Sequence, residues 1–356
     1  MRILMPMHGG PDDGLRIDWD FSSNANAVPL PAALYEKLTD ADRRAYPEPR
    51  YTALRERLSQ ARDVSAERIV PTAGSSEAIR RLTLAAHLQG VRRVWVPRPG
   101  YADYAAAASA LGMAVSAYED PMLVKGQGLM WLCEPCNPTG RSRPVAFWSA
   151  LMTHARAQPG LVVAIDRAYE PLRLSGTDPI ANDVADACWQ LWSPNKALGL
   201  TGVRAGWMQA PALIGDEAPA WLKTALQLAP SWVMSAEGVH LLVHWDDADV
   251  QAWLVAARNE LSAWMQAMQH ELGLLGWACE PSTVPFFLAT PARHEAGNAQ
   301  DMLGFLRGHG IKLRDAQGMG LPGQVRLRAH TPPARQALLQ ALAAWPDAPA
   351  SKRRTA

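Results

Sequence analysis

The stretch "SPNKALGLTGVRAGW", residues 193–207, sets Lys196 among residues that mostly avoid charge, with Ser193 three positions before it and Arg204 eight after. A lysine amine can act as a nucleophile or proton carrier, because its stem is flexible and its pKa moves with its surroundings. An arginine offers charged, directional donors to an anion. Other polar residues follow short apolar runs in the same way. Asn137 follows "GLMWLCE" in "PCNPTG", Asp166 ends "LVVAID" with Tyr169 close behind, and Tyr101 follows "RVWVP" in "RPGY". The small-residue turn "TAGSSEAI" carries Gly74, Ser75 and Ser76 into a helix start. Each has an ordinary reading by itself. "GSSE" can cap a helix, with serine accepting from an exposed amide and Glu77 helping the first turn. "NPTG" is a turn sequence, Asp166 could be an N-cap, and Lys196 could be a surface lysine. Their joint order says more, because it gathers different functional groups around one crevice.

The elements that must position them show as alternation. "RVWVP" (93–97), "GLMWLCE" (128–134), "LVVAID" (161–166) and "WQLWS" (189–193) read as buried strands. Between them, "SEAIRRLTLAAHLQ", "YADYAAAASALG" and "PVAFWSALMTHARA" carry apolar residues at helical spacing. This predicts an α/β fold with a mostly parallel central sheet flanked by helices. Ligands of such sheets bind beyond the carboxyl ends of the strands, which is where the polar residues above fall. After about residue 235 the texture changes. A long amphipathic helix "VQAWLVAARNELSAWMQAMQHELG" precedes strand-like "VPFFLAT", a helix "AQDMLGFLRGHG", strands "IKLRD" and "QVRLRAH", and a helix "PPARQALLQALAAW". The expected plan is an N-terminal arm (1–36), a large domain (37–235), a smaller α+β domain (236–345) and a solvated, flexible tail (346–356).

Composition narrows the class. A chain of 356 residues, 48% hydrophobic, buries a large core and suggests two domains. A net charge of +1 gives no global field for nucleic acid or membrane. Four cysteines, Cys133, Cys136, Cys188 and Cys279, suggest a reducing compartment, and a single C-x-x-C lacks the second pair a zinc site would need. The N-terminal apolar run is too short for a signal peptide, and nothing approaches the roughly 20 apolar residues of a membrane span. A soluble cytoplasmic protein is expected. Fourteen tryptophans predict core or subunit-interface residues. His240 and His244 stand four apart in "HLLVH" without a carboxylate between them, so they read as structural. A nucleotide-binding or regulatory domain is disfavoured, since no G-x-G-x-x-G, P-loop or appended helix-turn-helix occurs.

The ordered set "GSSEA", "PRPGYADY", "NPTG", "DRAY" and "SPNKALGLTGVRAG" resembles the fold-type-I enzymes that use pyridoxal phosphate, in the aminotransferase class I/II group. The spacing is family-like, with 29 positions from Asn137 to Asp166 and 30 from Asp166 to Lys196, and the likeness spans about residues 18–345. The resemblance implies an aspartate aminotransferase-like fold and pyridoxal 5'-phosphate as cofactor. It makes Lys196 the catalytic residue, holding the cofactor aldehyde as a Schiff base and later shuttling a proton. Asp166 would keep the pyridine nitrogen protonated, so that the ring is an electron sink. Asn137 and Tyr169 would hydrogen-bond the phenolic oxygen, and Tyr101 would stack on the ring. Gly74, Ser75, Ser76, Ser193 and Arg204 would hold the phosphate. Two departures stand out. Asn195 occupies a place often held by serine or threonine, and Arg167 replaces a common acidic residue.

Within that group, "MHGGPDDG", "DWDFSSNANAVPLP" and "RRAYPEPRYTALRERL" are similar to threonine-phosphate decarboxylases of cobalamin biosynthesis, with Ala27 where proline is usual. Histidinol-phosphate aminotransferases share the later motifs but usually lack the histidine-glycine-glycine start. By this likeness Arg326 would clamp a substrate carboxylate. Arg314, with His8 and Gly9 of the arm, would hold a substrate phosphate, and Asn26 would touch the substrate. Tyr46 would reach the cofactor phosphate of a neighbouring subunit, implying a homodimer with shared sites. Arg328 reads as a surface charge or a second anion contact, with the first preferred. The implied reaction is decarboxylation of O-phosphothreonine to aminopropanol phosphate. The alternative is amine transfer, as from histidinol phosphate.

Overall fold

The structure is a computed structural model that describes residues 8–212, 219–292 and 298–345; the residues before His8 and the tail expected over 346–356 lie outside the described residues. A seven-stranded sheet forms the centre, in the order Ile69–Thr72, Gly206–Gln209, Trp189–Trp192, Leu161–Asp166, Gly128–Cys133, Arg93–Pro97, Ala114–Tyr118. Every pairing is parallel except the two made by Gly206–Gln209, which runs against both neighbours. The middle strands are near-continuous apolar runs because helices cover both faces. The two-residue period divides them. Leu129, Trp131 and Ala164 pack with Ala78, Ile79, Leu82 and Ala86 of the helix Ser75–Leu88. Met130, Leu132, Val163 and Ile165 face Trp148, Leu151, Met152 and Ala155 of the helix Val145–Arg156.

A second sheet is antiparallel, in the order Arg314–Asp315, Val325–Arg328, Phe286–Thr290, Ala278–Cys279. It packs with the 27-residue helix Ala248–Leu274, whose buried side chains Val250, Leu254, Ala257, Leu261, Met265, Met268 and Leu272 recur every three or four positions. The run "IKLRD", expected as one strand, is divided. Ile311–Lys312 pairs with Trp19–Asp20 of the arm, while Arg314–Asp315 joins the antiparallel sheet. The arm is therefore more regular than expected, because it finds a strand edge to pair with. Among the described residues no helix is long and apolar enough to cross a membrane.

Arg328 is a correction. It is neither a surface charge nor an anion contact. Its Nε and Nη1 each donate at 2.8 Å, to the carbonyls of Asp20 and Ala25, so it staples the arm's loop to the sheet. Beside it, His330 lies against Trp19 and Phe21, with ring centroids 6.1 and 5.1 Å apart, and Nδ1 accepts the Thr331 amide at 2.8 Å. Burial, and then the charge of Arg328, push the His330 imidazole down to about 4. In the unfolded chain it titrates near 6.5. Between those values the unfolded chain takes up a proton that the folded chain refuses, so stability falls as pH falls. Denaturant titrations at pH 7 and pH 4 should differ by roughly 3 kcal/mol from this group, a component that His330→Gln should lack. An identical pH dependence in that variant would disprove the assignment.

Candidate active site

The carboxyl edge of the central sheet and the arm enclose a cavity of about 250 Å³. Parallel strands bring its parts together: Cys133 is registered against Asp166 and Asp166 against Leu191, so the segments that follow emerge side by side. One end suits an anion. The helix Ser75–Leu88 starts at Gly74, whose φ of 88° favours glycine. A Cβ there would stand 2.7 Å from Nη2 of Arg204. No side chain caps this helix, and Ser75 Oγ is buried without a hydrogen-bond partner. A serine serving only as a cap would not be left so. Ser76, Ser193 and Arg204 line the same end; Ser193 donates to Asn195 Oδ1 at 2.7 Å and Arg204 to the Thr201 carbonyl at 2.9 Å.

At the floor, Asp166 is sealed from solvent at 3% exposure. Its Oδ1 accepts the Ala168 amide and its Oδ2 the Tyr104 hydroxyl, each at 3.0 Å. Burial raises its pKa, and the charge of Lys196 opposes that rise. Lys196 Nζ lies 4.7 Å from the centre of the Tyr169 ring and has no hydrogen-bond partner among the described residues. The Tyr169 hydroxyl accepts from Asn24 Nδ2 at 3.3 Å and from Asn137 Nδ2 at 3.5 Å.

The remaining wall is cationic. Arg326 is 4% exposed; Nη1 donates to Asn137 Oδ1 at 2.5 Å, Nη2 donates to the Ser22 carbonyl at 2.7 Å, and Nε is buried without a partner. Burial lowers its pKa to about 10. Arg314 also lines the cavity and is likewise lowered by burial, against the charge of Asp315. The arm closes the top with His8, Gly9 and Gly10. A Cβ on Gly9 would fall 2.1 Å from the Ser22 carbonyl oxygen, so only glycine passes there, and the Gly10 amide donates to Ser22 Oγ at 2.9 Å.

Of the residues expected here, His8, Gly9, Ser75, Ser76, Tyr101, Asn137, Tyr169, Ser193, Lys196, Arg204, Arg314 and Arg326 line this one cavity. Gly74 and Asp166 do not line it, but Gly74 precedes the lining Ser75 and Asp166 feels the charge of the lining Lys196. Asn26 does not reach it, which corrects its expected substrate contact. Its amide group is spent on the Ala197 carbonyl and the Val28 amide, and its backbone N–H donates to the Lys196 carbonyl. It therefore braces the lysine's loop, and Asn24, two positions earlier, faces the cavity instead. Tyr46 lies outside its own chain's cavity, 77% exposed and stacked on Trp232 at 4.3 Å. Of the two departures, Asn195 also lines the cavity and bridges Ser193 and the Val203 carbonyl, while Arg167 is buried against Asp178 and Trp192. His240 meets the Lys37 carbonyl and His244 meets Asp247. Sequence reasoning passed over Asp103 and Tyr104. Both lie in the quoted "YADY", where an acid in a first helical turn and an aromatic at core spacing look ordinary.

The donor set fits pyridoxal 5'-phosphate. An unpartnered serine hydroxyl, a helix start and an arginine suit its phosphate, a buried carboxylate suits its ring nitrogen, and a lysine without a partner suits its aldehyde. Residues 17–342 match the sequence model of the family described as aminotransferase class I and II. The chain is 29% identical to a histidinol-phosphate aminotransferase of Halorubrum lacusprofundi, covering 90% of this chain and 86% of that one. It is 26% identical to histidinol-phosphate aminotransferase 1 of Bradyrhizobium diazoefficiens, covering 82% and 83%. Among solved structures, L-threonine-O-3-phosphate decarboxylase from Porphyromonas gingivalis superposes with a TM-score of 0.70 at 21% identity, covering 90% of this chain and 97% of that one. Aspartate aminotransferase from Thermus thermophilus with maleate gives 0.74 at 19% identity, with 92% of each covered. These two likenesses establish the fold.

Proposed function

This chain belongs to the class I and II aminotransferases, which work with pyridoxal 5'-phosphate, and we propose that within that family it decarboxylates O-phospho-L-threonine to aminopropanol phosphate, a step of cobalamin biosynthesis. The observation that carries this reading is the arm. His8 and Gly9 close over a cavity that also holds Arg314 and Arg326, so a compact substrate can set a carboxylate and a phosphate against separate cationic groups.

When bound, the cofactor supplies an aldehyde that takes up the substrate amine and a ring that withdraws electrons from the bond being broken. The chain supplies the rest. Asp166, fixed by Tyr104 and Ala168, would hold a proton at the ring nitrogen. Asn137 and Tyr169 would hold the phenolic oxygen, Tyr101 would lie against the ring, and Gly74, Ser75, Ser76, Ser193 and Arg204 would hold the phosphate. Arg326 would orient the carboxylate, His8 and Arg314 would receive the second anion, and the Lys196 amine would return a proton to the carbon that loses carbon dioxide. Residues 37–235 carry the cofactor groups and 236–345 the clamp. Family members are typically homodimers, and in such an assembly the exposed Tyr46 would serve a partner's cofactor phosphate.

Amine transfer is the second reading, with histidinol phosphate as donor. The names of the sequence relatives favour it, and it uses the same constellation with the Cα–H bond, rather than the carboxylate, presented for cleavage. One assay separates the two. The holoenzyme is given O-phosphothreonine alone, and separately histidinol phosphate with 2-oxoglutarate. Carbon dioxide and aminopropanol phosphate formed in equal amounts without a keto acid support the decarboxylase. Glutamate formed from 2-oxoglutarate, with no gas from phosphothreonine, rejects it in favour of amine transfer.

A further inference from the structure

The arm and the cofactor end of the cavity meet at one buried acid with no role so far. Asp103 lies in the first turn of the helix Ala102–Ser109 and is 4% exposed. Its Oδ1 is 3.2 Å from His8 Nε2, and its Oδ2 accepts the Tyr101 hydroxyl at 2.9 Å. That hydroxyl is in turn 3.3 Å from Ser76 Oγ. Burial works against the Asp103 carboxylate, but its neighbours His8, Ser76 and Tyr101 outweigh it and keep its pKa below the usual value. His8 lines the cavity and Asp103 does not, so the imidazole stands between this carboxylate and whatever enters. Among the described residues Asp103 is the polar partner of the His8 ring, which also leans on Tyr101 with centroids 5.6 Å apart.

We infer that Asp103 is a positioning residue that latches His8 of the arm over the cavity, holding Nε2–H so that the protonated ring turns Nδ1–H to the second anionic group of the substrate. The inference rests on the reading above, in which His8 meets the substrate phosphate. A protonated imidazole carries an N–H on each nitrogen, so one ring can give Nε2–H to the Asp103 carboxylate and Nδ1–H to an anion in the cavity. The substrate's second charge therefore meets a donor whose direction the arm has already fixed. Without that charge the latch remains, but it gains nothing from the substrate.

The test compares holoenzymes of the native chain, Asp103→Asn, His8→Ala and the double variant. In the absence of substrate, amide hydrogen exchange at Gly9 and Gly10 should quicken about tenfold in Asp103→Asn, the scale of one lost hydrogen bond to a charged group; unchanged exchange overturns the latch. This readout holds whether or not O-phosphothreonine is the substrate. With the phosphorylated substrate that the assay above turns over, KM should rise about tenfold in Asp103→Asn while kcat changes by less than about threefold. The double variant should then be no worse than His8→Ala, because the two residues act as one unit. Additive effects on KM, or a shifted cofactor absorption band in Asp103→Asn with exchange at Gly9 and Gly10 unaltered, would place Asp103 in the cofactor's service and overturn the proposal.

Discussion

Lys196→Ala should lower kcat by about 10⁴-fold or more, since in the proposed function Lys196 is both the covalent anchor and the proton carrier. The visible absorption of the holoenzyme should go with it. The fold should barely notice. The amine makes no hydrogen bond among the described residues, so its removal orphans no donor or acceptor, and what is lost is its charge near Asp166 and its contact with the Tyr169 ring. The backbone of the loop stays braced by Asn26, which bonds the carbonyls of Lys196 and Ala197. A change in unfolding free energy within about 1 kcal/mol is expected, read from thermal and denaturant unfolding of the cofactor-free protein. Parallel loss of turnover and of the visible band, on an intact fold, is the signature of a covalent lysine. A variant that keeps its absorption spectrum with added cofactor would end the assignment of Lys196. A variant that loses both band and fold would mean that the lysine is structural.

The architecture was legible where the physics is local. The strands Arg93–Pro97, Gly128–Cys133, Leu161–Asp166 and Trp189–Trp192 are apolar because both sheet faces are covered, and that leaves an unmistakable run. The long helix Ala248–Leu274 shows its period over seven turns. Ile69–Thr72 is broken by a proline and a threonine, and Gly206–Gln209 is bounded by a glycine and a glutamine, so neither shows as an apolar run. Ala114–Tyr118 is an edge strand with three exposed residues, so its sequence is not that of a buried run. Most of the site was legible for a different reason. Its residues sit at fixed places after strands, and the order of those places is itself a pattern. Asn24 and Asn26 show the limit. Both belong to "SSNANA", both are buried, and which amide turns to the cavity depends on a tertiary partner, the Ala197 carbonyl, that no local rule names. Asp103 shows it again, because its partner His8 is 95 positions away.

Arg326→Met should raise KM for a carboxylate substrate by about 10²- to 10⁴-fold while costing the fold little. Arg326 is a buried cation with no carboxylate at ion-pair distance among the described residues. Its guanidinium is held by neutral oxygens, those of Asn137 and Ser22, and its Nε has no partner. Keeping such a charge buried is expensive, which is why its pKa falls to about 10. An anion arriving in the cavity would supply the missing counter-charge and satisfy Nε. Two charge-assisted hydrogen bonds, each worth roughly 1.5–3 kcal/mol, account for the expected loss of binding. In the empty protein the sign differs. Methionine removes the desolvated charge and fills similar volume, and it gives up two hydrogen bonds to neutral acceptors. These terms offset, so unfolding free energy should move by less than about 2 kcal/mol in either direction. Substrate-dependent kinetics and denaturant unfolding of the same variant measure the two sides. If KM is unchanged, the carboxylate is held elsewhere and Arg326 only braces Asn137. If the fold is lost by 4 kcal/mol or more, the guanidinium is a structural keystone, and the cavity owes it its shape rather than its charge.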